Sequence, residues 1–215
     1  MDEKWCEECA APWWERPFRA ESDAPRLDVH GRVALPTWSI VPLEGPAHRM
    51  VTAWKDGGRR DLDPFFTDAA TRAARVLSAA LARADAVVPV PSRPRSVRAR
   101  GVDLTSELAR AVAQGLGDAR DPVPVERPLI NRGSESRLLG DRGRWANAAG
   151  GIAAGRERCI ARAVVLVDDV VTTGASLARA ADVLEGLGVV AIGALTLAAT
   201  PRRRPGTSLP VAGFP

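Results

Sequence analysis

Lysine is almost absent from this chain: Lys4 and Lys55 are the only lysines among 30 basic residues, and arginine supplies the rest. Cysteine is scarce too, and Cys6, Cys9 and Cys159 are too few for a disulfide framework. Cys6-Glu7-Glu8-Cys9 has metal-ligand spacing, but a closed structural zinc site takes four ligands and the sequence offers no second pair. His30 and His48 lie far off and without partners. The pair is therefore expected to hold no zinc within one chain, and a site shared across a homodimer stays open.

Long apolar runs are missing: none approaches the roughly 18 to 20 residues of a membrane-spanning helix. The N-terminal stretch MDEKWCEECAAPWW lacks the basic and apolar regions of a secretory signal. These absences predict a cytoplasmic protein with no membrane contact. No G-x-G-x-x-G follows a strand and no Walker GK[ST] occurs, so a Rossmann or P-loop nucleotide site has little support. No Ser/His/Asp or Cys/His nucleophile set is apparent.

What is present fits one α/β domain with a small appendage. The chain has 215 residues, 46% hydrophobic and 26% charged, in the range of globular proteins. Net charge is only +4, yet arginines cluster at Arg93–Arg100 and Arg127–Arg144. A local positive field attracts phosphate or nucleic acid even at modest net charge, although a solvated basic face fits this composition as well.

Residues 1–37 show no sustained periodicity and read as irregular. Trp38–Leu43 is expected as a short strand, Gly45–Trp54 as a helix, and Leu62–Arg83 as a longer alanine-rich helix with Pro64 in its first turn. Ala86–Val90 reads as a buried strand emptying into a loop at Pro91-Ser92-Arg93-Pro94. Val102–Leu116 reads as an amphipathic helix stopped by Gly117, and Pro122–Arg127 as a further strand. Asn131–Gly151 is polar and rich in Arg and Gly, a composition expected of a functional or mobile segment. Strands alternating with helices, each strand apolar on both faces, predict a mainly parallel sheet whose ligands bind beyond the C-terminal strand edges.

Val164–Val167 is such a strand, and Asp168 and Asp169 follow it. Burying two neighbouring carboxylates is costly, so they belong at a solvent-reached edge with a cation or hydroxyl donors nearby. A ribose diol with Mg²⁺ would satisfy them. Thr172-Thr173-Gly174-Ala175-Ser176 then opens a helix, Ala175–Leu187, carrying Leu177, Ala181 and Leu184 on one side. N–H groups at a helix start lack intrahelical partners, so small hydroxyl residues and a glycine there form a nest for a phosphate. Each half alone reads more readily as a helix cap or an ordinary loop. Acids followed by phosphate donors point to a ribose 5-phosphate. A last strand is expected over Val189–Leu197.

Val164–Ser176 (VVLVDDVVTTGAS) resembles the phosphoribosyl pyrophosphate (PRPP) motif of type I phosphoribosyltransferases, and its surroundings look like the ComF-type branch of that family. Pro89-Val90-Pro91 followed by Arg95, Arg98, Arg100 and Gly101 is similar to the branch's PVP, arginine and RG pattern. Leu139 and Arg144-Trp145-Ala146-Asn147 resemble its R-x-x-N hood segment. Likeness extends from about Val51 to Leu197. The branch's RGFNQ reads here as Arg100-Gly101-Val102-Asp103-Leu104, its glutamine ahead of Leu139 is Ser136, and of two N-terminal CxxC pairs only Cys6 to Cys9 is present.

The resemblance implies a type I phosphoribosyltransferase-like α/β fold, a parallel sheet flanked by helices, over residues 38–199. Residues 1–37 would be a small irregular N-terminal appendage, the remnant of a zinc module, and 200–215 a disordered tail. Asp168 and Asp169 would bind the ribose hydroxyls, directly or through Mg²⁺, and Thr172, Thr173, Gly174, Ala175 and Ser176 the 5′-phosphate. Arg95, Arg98 and Arg100 would take pyrophosphate, for which the guanidinium fork is suited. Arg144 and Asn147 would lie on a lid. Two functions follow: a glycosyltransferase moving phosphoribosyl to or from a base or other nucleophile, linked to DNA uptake (competence), or a non-catalytic PRPP-sensing module. In the second case the partner is DNA or a DNA-handling protein.

Overall fold

The computed structural model describes residues 6–29, 31–117, 121–133 and 151–201. The chain opens with the short helix α1 (Glu7–Ala10), the edge strand β1 (Phe18–Arg19), and the two-residue strands β2 (Asp28–Val29) and β3 (Arg32–Val33). Then come β4 (Thr37–Pro42), α2 (Gly45–Lys55), α3 (Asp63–Leu77), β5 (Ala86–Pro89), α4 (Pro94–Arg100) and α5 (Leu104–Leu116). Strands β6 (Leu129–Asn131) and β7 (Ile152–Ala154) pair with each other, and β8 (Ala163–Val171), α6 (Ala175–Glu185) and β9 (Val190–Ala199) complete the order.

β1, β4, β9, β8 and β5 lie side by side in that order. β4, β9, β8 and β5 run parallel, and β1 joins the β4 edge antiparallel. This is the expected type I phosphoribosyltransferase-like α/β architecture, a mainly parallel sheet flanked by helices with a small irregular N-terminal appendage. Ala86–Pro89 and Val164–Val167 are buried throughout, because helices cover both faces and leave no side of these strands for polar residues.

On one face α3 and α5 pack with Trp13, Trp54, Phe65 and Phe66; on the other, α6 packs with Leu27, Leu35, Val88 and Leu166. The stripe Phe66, Ala69, Ala70, Ala73, Ala74 and Leu77 recurs at helical spacing on α3. Its alanines admit α5 so closely that a Cβ on Gly115 would meet Ala74 Cβ at 2.7 Å. The appendage has little regular structure but is anchored: the Trp13 ring is fully buried, edge-on to Phe66 at 4.9 Å between centroids.

Several elements differ from expectation. The α3 helix stops at Leu77, short of Arg83, and turns bring the buried Leu81 under the sheet beside Gly193. The segment Pro122–Arg127 forms an isolated bridge between Val87 and Val125 in place of a strand, since Pro122 and Pro124 lack the N–H that a ladder needs. The loop expected at Pro91-Ser92-Arg93-Pro94 gives way to α4, which carries the first arginine cluster, with Pro94 in its first turn and Gly101 (φ 72°) closing it. From Arg202 on, the expected disordered tail lies outside the described residues. Among the described residues no helix is long and apolar enough to cross a membrane.

Candidate functional site

Asp168 and Asp169 lie inside β8, which continues to Val171. On one side β9 pairs the whole way, matching Asp168 with Thr196 and Val171 with Ala199. On the other side β5 pairs only as far as Pro89 opposite Val167. The acids therefore stand where β8 has lost one neighbour, at the C-terminal edge where parallel sheets take ligands. Their own carboxylates occupy nearby amides: Asp168 Oδ1 accepts from Asp169 N at 2.8 Å, and Asp169 Oδ1 from Val170 N at 2.7 Å.

The two acids have different surroundings. Val165 and Val167 face the α2, α3 and α5 side, and Val164 and Leu166 the α6 side. Asp169 thus falls on the α2 side, where Lys55 Nζ meets its Oδ2 at 2.6 Å. The Asp168 carboxyl is pushed well above the ordinary carboxylate range by burial and then by the Asp169 charge. Two hard oxygen donors suit Mg²⁺, which binds through one or two carboxylates when substrate phosphates complete its shell.

Past the acids, Thr172 and Thr173 are exposed and Ser176 half-buried. Gly174 begins α6 at φ 75°, a backbone conformation that glycine adopts without strain. Thr173 Oγ1 accepts from Ala175 N at 3.4 Å. The first-turn N–H groups of an 11-residue helix open here. A strap from the appendage secures the turn: Arg26 N donates to Thr173 O at 3.0 Å, and Leu27 packs on Gly174 so closely that a Cβ there would come within 2.8 Å of Leu27 Cδ1.

The arginines divide. Arg95 and Arg98 on α4 are exposed. Arg100, half-buried, donates through Nη1 to Lys55 O at 3.4 Å, while its Nε is buried without a partner among the described residues. Asp103 pins the loop after β5 to α5, accepting from Ser92 Oγ and Thr105 Oγ1 at 2.9 Å and from Ser106 Oγ at 2.8 Å. Ser136, Leu139, Arg144 and Asn147 lie outside the described residues. The segment that carries them leaves from β6 and returns through β7, which pair at Asn131 and Ile152. Asn131 Nδ2 donates to Pro91 O at 3.0 Å and Arg179 Nε to Ile152 O at 3.3 Å. This base therefore joins the Pro91 loop on one side and α6 on the other.

Cys6 Sγ and Cys9 Sγ share a hydrogen bond at 3.1 Å. Among the described residues no group of three or more His, Cys, Asp or Glu side chains gathers to hold a metal. Sequence reasoning missed Lys55, the strap at Arg26 and Leu27, and the organising role of Asp103. For Asp103 a signal existed: an aspartate just before a helix, with Thr and Ser two and three residues on, is an N-terminal pattern. No family model and no curated protein matches the chain.

Proposed function

We propose that the chain binds PRPP with Mg²⁺ and is a ComF-type phosphoribosyltransferase, transferring phosphoribosyl to or from a base or other nucleophile. One observation carries the reading: the acid pair stands at the open edge of β8 and leads within a few residues into the Gly174 turn. Acidic acceptors for a ribose and N–H donors for its 5′-phosphate are thus adjoining parts of one strand-turn-helix unit.

Breaking the bond between the anomeric carbon and pyrophosphate builds positive charge on the sugar and negative charge on the leaving group. Asp168 and Asp169 orient the ribose and bear negative charge beside its cationic form; the Gly174 turn fixes the far end. Arg100, with Arg95 and Arg98 of the same helix, offers guanidinium donors to the departing diphosphate. Mg²⁺ held at Asp168 and Asp169 would supply further charge neutralisation on the diphosphate. The resemblance assigns Arg144 and Asn147 to a lid that would exclude water; the strands β6 and β7 flanking that stretch of sequence adjoin the Pro91 loop and α6.

Exposure of Arg95 and Arg98 supports a second reading, a PRPP sensor in competence that also meets DNA or a DNA-handling protein. Calorimetric titration with PRPP and Mg²⁺, followed by a screen of bases for pyrophosphate release, tests both. Micromolar binding with turnover selects the enzyme. Binding without turnover, joined to salt-sensitive DNA affinity, selects the sensor, and absence of PRPP binding refutes both.

A further inference from the structure

Lys55 belongs to no part of the PRPP motif, yet its ammonium lies against the acid pair. We infer that Lys55 is a ligand-contacting residue, a tethered cation that passes from Asp169 to the diphosphate of PRPP when the ligand and Mg²⁺ occupy the carboxylates. The inference rests on the PRPP reading of the site and adds to it a residue from a different element, the last turn of α2.

The ion pair is placed for such a transfer. Lys55 Nζ is 2.6 Å from Asp169 Oδ2, and the Asp169 side chain is 10% exposed while that of Lys55 is 34% exposed. The ammonium thus touches a nearly buried carboxylate from the solvent side, the direction from which a ligand arrives. A metal ion and an ammonium cannot both sit in contact with the same carboxylate oxygen without strong repulsion. Asp169 is fixed in a paired strand, whereas Lys55 carries its charge on a flexible four-carbon stem, so the lysine is the partner that moves.

The anion it would meet is indicated by Arg100. Arg100 Nη1 donates to the backbone carbonyl of Lys55 at 3.4 Å, which ties the end of α2 to the arginine helix α4. Its Nε is buried and unpartnered among the described residues, a donor whose desolvation is uncompensated until an acceptor oxygen reaches it. Lys55 and Arg100 therefore form one cationic corner at Asp169, with donor capacity to spare and, among the described residues, no other carboxylate paired to it. A diphosphate is the part of PRPP with enough oxygens to satisfy both.

Titration calorimetry with Mg²⁺ present, using PRPP, pyrophosphate and ribose 5-phosphate as separate ligands, tests the assignment on wild type, Lys55→Gln, Lys55→Met and Lys55→Arg. Loss of the ammonium in Lys55→Gln is expected to weaken pyrophosphate and PRPP by about tenfold or more. Ribose 5-phosphate should bind as tightly as to wild type or more tightly, because Asp169 is released from its competitor. Lys55→Met, which keeps the apolar stem, should match the glutamine variant, and Lys55→Arg should retain most of the pyrophosphate affinity. Unchanged pyrophosphate affinity in Lys55→Gln and Lys55→Met overturns the inference. So does weaker ribose 5-phosphate binding with intact pyrophosphate binding, the signature of a lysine that only orders Asp169. A wild-type protein that binds none of the three ligands refutes the PRPP reading itself and removes this inference with it.

Discussion

Asp168 and Asp169 are consecutive on β8 and differ in their partners: Lys55 Nζ lies 2.6 Å from Asp169 Oδ2, while Asp168 has the Asp169 amide at 2.8 Å and no cation in direct contact among the described residues. Burial, and then the Asp169 charge, hold the Asp168 carboxyl well above its ordinary value. A carboxyl whose folded pKa exceeds its unfolded value favours folding in its protonated form. That contribution is full below the unfolded pKa, about 3.9, and is lost as pH rises through the folded value. Asp168→Asn removes the charge and should melt above wild type at pH 7, by about 2–4 °C for each kcal/mol relieved. The gap should close toward about pH 4, where both carboxyl forms converge. Thermal melts across this range check the sign, and a variant that melts below wild type at pH 7 contradicts it.

Replacing both acids, Asp168→Asn with Asp169→Asn, nearly preserves shape and removes the charges proposed to hold Mg²⁺ and the ribose hydroxyls. Hydrogen bonds to charged groups contribute about 1.5–3 kcal/mol each, so PRPP affinity should fall at least about tenfold. Thr173→Ala removes one neutral hydroxyl and leaves the backbone donors of the turn, for an expected loss of about 0.5–1.5 kcal/mol. Calorimetry on the three proteins ranks the two ends of the site. Equal affinity in the double variant and wild type would place PRPP elsewhere.

The strap gives a prediction about stability. A Cβ at Gly174 would lie 2.8 Å from Leu27 Cδ1, at a φ of +75° that L side chains rarely adopt. Gly174→Ala should therefore cost more than the roughly 1–2 kcal/mol of the left-handed backbone alone. Leu27→Ala should cost about 2–5 kcal/mol as a buried leucine truncation. Combined, the two should cost less than their sum, since removing Leu27 clears the space the new methyl needs. Denaturant melts of both single variants and the double variant provide the cycle; strict additivity would show that Leu27 and Gly174 are not in contact.

Thiol chemistry separates the cysteines. Burial, with Glu126 beside it, pushes the Cys159 thiol up to about 12, whereas the hydrogen bond with Cys9 lowers Cys6 and raises Cys9. Only thiolates alkylate readily. Iodoacetamide at pH 8 should therefore modify Cys6 first and Cys159 last, read by mass spectrometry of the peptides over time. Early labelling of Cys159 would contradict its burial beside Glu126.

What the sequence disclosed was local and contiguous. The valines of β8, the acids and the Gly174 turn stand in one short stretch, so their order shows without knowledge of the fold. Lys55 did not show its role, because nothing near it in sequence tells that the end of α2 returns to β8; only the packing of α2 beside the sheet brings the charges together. The hairpin of β6 and β7 escaped for another reason, each strand having 3 residues and no periodicity to detect. Pro122–Arg127 misled in the opposite direction: its valines fit a strand, and its prolines forbid a ladder.

β9 is the last described strand in the chain, yet it lies between β4 and β8 instead of at an edge. A ribosome delivers β4, β5 and β8 first, so for much of synthesis β4 and β8 each present an unpaired backbone edge with no neighbour to close it. Such edges are templates for wrong pairing between nascent chains. A chain released before Val190 would carry every residue of the Asp168 to Ser176 motif and still lack the strand that holds Asp168 through Val171 in register. Translation must therefore pass Ala199 before the sheet can close, so β4 and β8 wait for a strand that follows both of them in the chain.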